Sequence, residues 1–132
     1  MSKNLETVRK IYADFNSVDP HAFDNFDPGI EFRQTAGLIG TAGTYRGHEG
    51  LRIALGELLA TFKNIRIESS DVLYDEGEEI VVRVRIRGEG RRSGTPIDTH
   101  LFHVWSLRDR KVVRWVVLNS QKDALRAVGI RG

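Results

Sequence analysis

EEIVVRVRIRG (residues 78–88) and TPIDTHLFHVWSLRDRKVVRWVVLN (residues 95–119) are the stretches that decide the fold of this chain. Their β-branched and aromatic residues predict three successive strands, each longer than the usual strand of roughly five or six residues. A Gly/Ser-rich break at 88–94 joins the first two strands, and a short turn at 108–111 joins the last two. Long antiparallel strands that follow amphipathic helices predict a curved sheet around a helical layer, with a pocket between them.

Helical segments precede and follow these strands in the sequence. Apolar residues recur at helical spacing in residues 5–15 and 48–62, so each segment has one apolar face. The Asp19-Pro20 pair predicts the start of a short second helix. Ser120 is a good N-cap residue and predicts the start of a last helix.

A short first strand is predicted at 30–34, and a further strand at 65–74. The sequence DPG at 27–29 predicts a turn before the first of them, and the glycine-rich segment 36–47 predicts a loop after it. The predicted order is helix, helix, strand, helix, four strands and a final helix. With the helices on one face of an antiparallel sheet, the predicted fold class is α+β, in a single domain that spans residues 1–132.

The composition excludes several kinds of site and partner. The 132 residues include no cysteine, so disulfides, thiolate nucleophiles and cysteine-based metal sites are excluded. The four histidines show no metal-ligand spacing, so we expect neither a metal nor another cofactor. No apolar run approaches the ~18 residues of a membrane span, and the polar start MSKNLETVRK shows no signal peptide. We therefore expect a cytoplasmic protein with no membrane partner and, since no basic stripe or reading motif is present, no nucleic-acid partner.

Four segments carry a resemblance to a known family: VRKIYADFNSVD (8–19), DPGIEFR (27–33), YRGHEGLR (45–52) and HVWSLRDRKVVRW (103–115). They resemble the SnoaL-like branch of the nuclear-transport-factor-2-like superfamily, and the resemblance covers nearly the whole chain. It implies a cone-shaped α+β barrel whose pocket is lined by a concave sheet and the first helices, commonly in a homodimer. Its relatives include polyketide cyclases, limonene-epoxide hydrolase, ketosteroid isomerase and non-catalytic binding or dimerisation domains, so fold alone does not assign an activity.

The polyketide cyclases pair a histidine with an acid on the last two strands. The resemblance implies that His103 is at the histidine position and that Val117 is at the position of the acid. The epoxide hydrolases use an Asp–Arg–Asp set, in which one aspartate again falls at Val117 and the Arg-x-Asp pair falls near Arg83 and Arg85. The carboxylate that accepts the proton is therefore replaced in both patterns.

The steroid isomerases use a carboxylate base on the first strand and a tyrosine on the first helix. The resemblance places Arg33 at the position of the base, and an arginine cannot accept a proton. It places Ile11 at the tyrosine position, one residue before Tyr12. The isomerase mechanism is thus not carried over.

His103 and Glu31 are the candidate catalytic residues. Histidine titrates near neutral pH and can act as a general acid or base, although a packed histidine with a backbone partner is the alternative. Glu31 is the remaining carboxylate candidate if its face of the strand is the concave one, and the alternative is a surface ion pair. The residues predicted to contact a ligand are Tyr12, Arg33, Arg83, Arg85, Leu101, Trp115, Val117 and Asn119.

The arginines at 83, 85 and 87 alternate with apolar residues and share one face of their strand. In one interpretation, one or two of them enter the pocket and bind a carboxylate, phosphate or enolate oxygen. In the other, which is commoner for a row of charges, they line a solvated or dimer-facing surface and pair with Glu or Asp.

The sequence gives two conflicting registers for the last hairpin. A plain two-residue turn at Asp109-Arg110 would pair Leu107 with Val112 and would place His103 on the face opposite Trp115. The family resemblance instead implies that His103 shares the face of Trp115. A bulge within the Thr99–Trp105 strand would reconcile the two.

The sequence therefore predicts a pocket protein for a small, partly apolar molecule that carries an oxygen anion or a carbonyl. If it is an enzyme, the predicted class is cofactor-free isomerisation, cyclisation or hydration by proton transfer, with His103 or Glu31 as the base. The alternative is a non-catalytic ligand-binding or dimerisation module. A carboxylate bonded to His103 would favour the enzyme, and its absence would favour binding.

Overall fold

The computed structural model describes residues 2–17, 21–35 and 43–130, which form three α-helices, one short 3₁₀ helix and six strands. The helices are α1 (Lys3–Asn16), the 3₁₀ helix (Ala22–Asn25), α2 (Gly47–Thr61) and α3 (Gln121–Ala127). The strands are β1 (Phe26–Gln34), β2 (Gly43–Arg46), β3 (Phe62–Glu76), β4 (Glu79–Gly90), β5 (Pro96–Arg108) and β6 (Lys111–Leu118). None of the helices within these residues is long and apolar enough to cross a membrane.

The six strands form one curved sheet in the order β2-β1-β6-β5-β4-β3. Strand β1 runs parallel to β6, and every other pair is antiparallel. The α+β cone is confirmed, with the difference that the sheet is mixed rather than antiparallel and does not close. The difference arises because β1, besides its antiparallel pairing with β2, lies beside the last strand of the chain and runs in the same direction.

Helix α1 lies against the concave face of the sheet. The Ser2 side chain caps it by accepting a hydrogen bond from the Leu5 N–H at 3.0 Å. The Asn16 side chain fixes its far end, since it donates to the carbonyl of Ile67 at 2.8 Å and accepts from the Ile67 N–H at 2.9 Å. The apolar face predicted from helical spacing is buried, and Tyr12 on that face points into the interior.

Two predictions about the chain before α2 are wrong. The DPG sequence at 27–29 is not a turn but the irregular middle of β1, where the register with β6 shifts between Phe26 and Glu31. Proline lacks a backbone donor, so a break in the ladder accommodates it. Gly43–Arg46, predicted as loop, is the edge strand β2, because it pairs with the end of β1. The predicted Asp19-Pro20 cap and the loop residues 36–42 lie outside the described residues.

The two faces of the sheet differ in composition. The concave face carries the main core, which packs on α1 and α2 around Trp105 and Trp115. The convex face carries a small apolar cluster beneath α3, made of Val81, Val104 and Val116 with Ala124. Ser120 caps α3 as predicted, by accepting from the Asp123 N–H at 3.3 Å. Partly buried apolar side chains, among them Phe102 and Leu118, adjoin this cluster, and ion pairs lie beyond it.

Candidate functional site

A cavity of about 50 Å³ lies between the concave face and helix α2. The helix contributes Ala54, Leu55 and Leu58 to its wall. The sheet contributes Phe32, Gln34, Ile67, Ile86, Leu101, His103, Trp115 and Val117. All of these side chains are uncharged when the imidazole is neutral.

The polar residues of the cavity lie in one row across three neighbouring strands. Gln34 on β1 pairs with Val117 on β6, and Val117 pairs with His103 on β5. Trp115 lies two residues before Val117 and therefore projects from the same face. Val117 is thus an apolar floor with a carboxamide on one side and an imidazole on the other.

The register of the last hairpin resolves the conflict left by the sequence. Leu107 pairs with Val112 across a two-residue turn in which Asp109 and Arg110 have φ of 52° and 64°. The register then shifts, because Val113 has no partner opposite it on β5. This bulge turns His103 onto the face of Trp115. The predicted bulge therefore exists, but on β6 and not within the Thr99–Trp105 strand.

A buried hydrogen-bond chain holds the His103 ring. The Trp105 Nε1–H donates to the Tyr12 hydroxyl at 2.9 Å, and this hydroxyl lies 2.7 Å from His103 Nδ1. Because no other acceptor for the hydroxyl proton lies among the described residues, we assign this proton to the bond with Nδ1, which then accepts. In this assignment His103 carries its proton on Nε2, and the residue lines the cavity.

Burial controls the charge of this chain. Removal from water lowers the pKa of His103 to about 3, because the imidazolium form loses its hydration. Burial likewise raises the pKa of Tyr12 well above its usual value. His103, only 2% exposed, is therefore a neutral imidazole at physiological pH.

Two further N–H groups at the cavity lack a partner. Gln34 Nε2 and Trp115 Nε1 are buried, and neither has a hydrogen-bond acceptor within the described residues. Gln34 is 4% exposed and Trp115 is 2% exposed. A buried donor without an acceptor costs roughly 1–3 kcal/mol, so such groups call for an explanation. Both residues line the cavity.

The predicted arginines lie on the other face of the sheet. Arg85 donates two hydrogen bonds to Asp98, at 2.8 and 2.6 Å, and this contact lowers the pKa of the Asp98 carboxyl. Arg83 lies 3.4 Å from Asp71, and Arg87 pairs with Glu68 on the neighbouring strand β3. None of the three arginines lines the cavity. This arrangement is the second interpretation given for the row, a solvated face paired with acids.

The remaining predicted residues divide between the two faces. Leu101, Trp115 and Val117 line the cavity, and Tyr12 contacts it through His103. Glu31 is on the convex face, where its carboxylate lies 3.7 Å from Arg46 and 3.8 Å from Arg114. Arg33 and Asn119 are exposed, and neither lines the cavity. Glu31 and His103 therefore lie on opposite sides of the sheet and cannot act together.

Gln34 was missed by the sequence reasoning. Its signal is present, since Ile30, Phe32 and Gln34 alternate along one strand and must share a face. A glutamine that continues an apolar face is expected to be buried. Because most polar residues are exposed, a buried one is informative. The burial of all three confirms the pattern.

Comparison with known proteins agrees with this architecture. The SnoaL-like domain model matches residues 8–115. TerC, crystallised with polyporic acid, is 24% identical over 90% of this chain and 92% of its own, with a TM-score of 0.80. A nuclear-transport-factor-2-like protein of unknown function from Burkholderia pseudomallei is 22% identical over 98% and 100%, with a TM-score of 0.81. A protein of ketosteroid-isomerase-like fold from Catenulispora acidiphila, in complex with trimethylamine, is 17% identical over 95% and 93%, with a TM-score of 0.76.

These structural similarities concern the fold, because sequence identity is below 25% in each case. No curated protein sequence matches the chain. The family assignment therefore depends on the domain model. The match extends from the middle of α1 to Trp115 on β6 and includes strands β1 to β5 in full. By this match, the chain belongs to the SnoaL-like domain family.

Proposed function

We propose that this protein binds a small, partly apolar and uncharged molecule in the cavity between β1, β6, β5 and α2. The observation that carries the proposal is the pair of buried donors, Gln34 Nε2 and Trp115 Nε1, which line an apolar cavity without an acceptor. Small-molecule sites are typically apolar hollows with a few placed polar groups. TerC and the Catenulispora acidiphila protein, which share the fold, were each crystallised with a small organic molecule.

Charge favours a neutral ligand over the oxygen anion that the sequence analysis allowed. None of the described side chains that line the cavity is charged, since burial keeps the His103 imidazole neutral. An anion in such a cavity would lose its hydration without gaining a counter-charge, which is strongly unfavourable. The arginines that were expected to supply that charge project from the other face.

The surroundings of His103 support binding rather than proton transfer. The Nδ1 partner is the Tyr12 hydroxyl, and not a carboxylate. A histidine with a pKa of about 3 is a weak base, far from the value near the working pH that suits a general base. Glu31, the other candidate base, is on the convex face. We therefore place the protein among the ligand-binding members of its fold.

The proposal is tested by filling the cavity. Ala54 is 1% exposed at the cavity wall, whereas Ala60 on the same helix is exposed, so Ala54→Leu and Ala60→Leu are matched variants. Cyclopentane, titrated into the ¹³C-methyl-labelled protein, should shift the methyl signals of Leu55 and Leu101 in the unsubstituted chain and in Ala60→Leu. It should leave them unchanged in Ala54→Leu, whose fold is checked by circular dichroism.

Absence of any methyl shift in the unsubstituted chain, at ligand concentrations up to saturation, would overturn the proposal. Equal shifts in the two variants would overturn it as well, because the ligand would then bind elsewhere.

Homodimerisation through the convex face is a second candidate. Phe102 and Leu118 are only half-buried there, beside a surface where basic and acidic residues alternate. In a two-fold contact the same patch meets itself, so alternating charges are complementary to a second copy. Sedimentation velocity should give a dimer that Phe102→Glu converts to a monomer. A monomer at every concentration of the unsubstituted chain would contradict this candidate.

A further inference from the structure

We propose that the cavity recognises the ligand through a carbonyl oxygen, which is held by N–H donors from three adjacent strands: Gln34 on β1, Trp115 on β6 and His103 on β5. This inference depends on the proposed function, since it specifies the chemistry of the molecule that the cavity binds. The inference goes beyond the proposed function because the binding of an apolar molecule needs none of these donors.

The donors outnumber the acceptors at the cavity. An indole N–H can only donate, and that of Trp115 has no acceptor among the described residues. The His103 Nε2 carries a proton because its Nδ1 accepts from Tyr12. The Gln34 carboxamide adds two N–H bonds and one carbonyl oxygen. A ligand that offers only lone pairs therefore fits better than one that must donate.

The strand register brings these groups to one place. Gln34 and His103 lie directly across the strands from Val117, one on each side, at a strand spacing of about 4.8 Å. Trp115 is the diagonal neighbour of both, and its ring centroid is 5.3 Å from that of His103. In the proposed complex the ligand oxygen would lie above Val117, between the residues of the two flanking strands. The apolar part of the ligand would face Ala54, Leu55 and Leu58 on the opposite wall.

Other ligand classes satisfy this site less well. A hydrocarbon leaves the buried donors unpaired, and a carboxylate brings a charge that no neighbouring group compensates. An alcohol has its own proton to place, and among the described side chains at the cavity its acceptor would be the Gln34 oxygen. A ketone, ester or amide carbonyl has two lone pairs and no proton, so it can accept from two donors at once. A site built on hydrogen bonds to a ligand discriminates strongly against an analogue that lacks the matching group.

The experiment uses the two tryptophans of the chain as reporter and internal control. The Trp105 indole N–H is already bonded to Tyr12, whereas that of Trp115 is free to bond a ligand. The ¹⁵N-labelled protein is titrated with cyclopentanone, cyclopentanol, cyclopentane and cyclopentanecarboxylate. We expect cyclopentanone to bind most tightly and to move the Trp115 indole proton downfield, with little change at Trp105.

Matched variants identify the donors. Gln34→Leu removes this donor group at similar volume, and we expect it to weaken cyclopentanone binding about three- to tenfold relative to cyclopentane binding. Gln121→Leu, an exposed position on α3, is the control and should change neither affinity. Trp115→Phe should remove the indole signal and reduce the preference for the ketone over the hydrocarbon.

The possible results are distinguishable. Selective ketone binding with the Trp115 shift supports the inference. Equal affinities for cyclopentanone and cyclopentane, without a Trp115 shift, would overturn the inference and leave the proposed function standing, because water would then satisfy the donors. Tightest binding of the carboxylate would also overturn it. Failure of all four compounds to bind would overturn the proposed function itself.

Discussion

The concave and convex faces of the sheet are made by the same strands, yet their side chains differ in burial and charge. On β4, Val82 and Val84 point inward and are fully buried, whereas Arg83 and Arg85 point outward and form ion pairs. The concave face holds a neutral imidazole and unpaired donors, while the convex face holds paired charges. Charge on this protein therefore marks the solvated face, and the site is recognised by its lack of charge.

The two faces also show that exposed and buried polar residues contribute differently to stability and binding. A salt bridge on an exposed face contributes little to stability, since water already solvates both partners. A buried N–H or imidazole without water affects stability and binding far more, because its desolvation must be compensated. The proposed function thus depends on Gln34, His103 and Trp115, although the arginine row is the more conspicuous feature of the sequence.

The largest expected effect comes from moving a charge to the wrong face. Val84→Arg would bury an unpaired guanidinium on the concave face and should lower the free energy of unfolding by about 4 kcal/mol or more, measured by urea denaturation. The reciprocal change Arg83→Val, on the neighbouring residue, should lower it by about 1 kcal/mol at most. Similar losses for the two variants would contradict the assignment of faces.

A second effect is acid sensitivity caused by His103. Because its pKa is lowered to about 3 in the folded state, the unfolded chain binds a proton below about pH 6.5 that the folded chain does not. This contribution to stability is complete above pH 6.5 and falls by about 1.4 kcal/mol per pH unit as the pH is lowered toward 3. The measurement is unfolding free energy against pH.

His103→Gln should remove that slope, whereas His100→Gln, an exposed position on the other face of β5, should retain it. Identical pH profiles for His103→Gln and the unsubstituted chain would show that His103 does not resist protonation.

A smaller effect is expected from the hydroxyl that links two buried rings. Tyr12→Phe leaves the Trp105 Nε1–H and His103 Nδ1 without their partner and should cost about 1–3 kcal/mol in the free energy of unfolding. Tyr45→Phe is the control, because that hydroxyl bonds Glu57 in solvent at 2.9 Å and should change stability much less. A loss no greater than that of the control would show that the chain of hydrogen bonds is not formed.

The smallest effect is expected for Glu31. Its two ion pairs are long, at 3.7 and 3.8 Å, and lie on the solvated face. Glu31→Gln should change the unfolding free energy by a few tenths of a kcal/mol, with the difference disappearing at high salt. It should not change the affinity for cyclopentanone, measured by the same NMR titration. A large loss of affinity would place Glu31 at the ligand site after all.

Much of the fold was predictable because it depends on local patterns. The periodicity of α1 and α2, the Ser120 cap and the long strands were all visible in the sequence. The parallel pairing of β1 with β6 and the edge strand β2 were not predicted, since they depend on which distant segments meet. Composition cannot distinguish a glycine-rich edge strand from a loop until its partner is known.

The site was predictable only in part, for a similar reason. Alternation fixes which residues share a face, but the face of His103 depended on a bulge at Val113 that serves the curvature of the whole sheet. The family resemblance placed His103 on the face of Trp115, while the turn alone placed it on the other. Gln34 was overlooked because a single polar residue at the end of a short strand looks like a surface residue. Its burial comes from the packing of α2 and β6 around it.

The most direct test of the central claim is the protonation state of the His103 ring in solution. Long-range ¹H–¹⁵N correlation spectra of the imidazole, recorded from neutral pH down to about pH 4, report the tautomer and the charge together. The structure predicts a neutral ring that carries its proton on Nε2 and accepts at Nδ1 throughout this range. An imidazolium that forms with a midpoint near pH 6.5 would contradict the account, because the concave face would then be open to water.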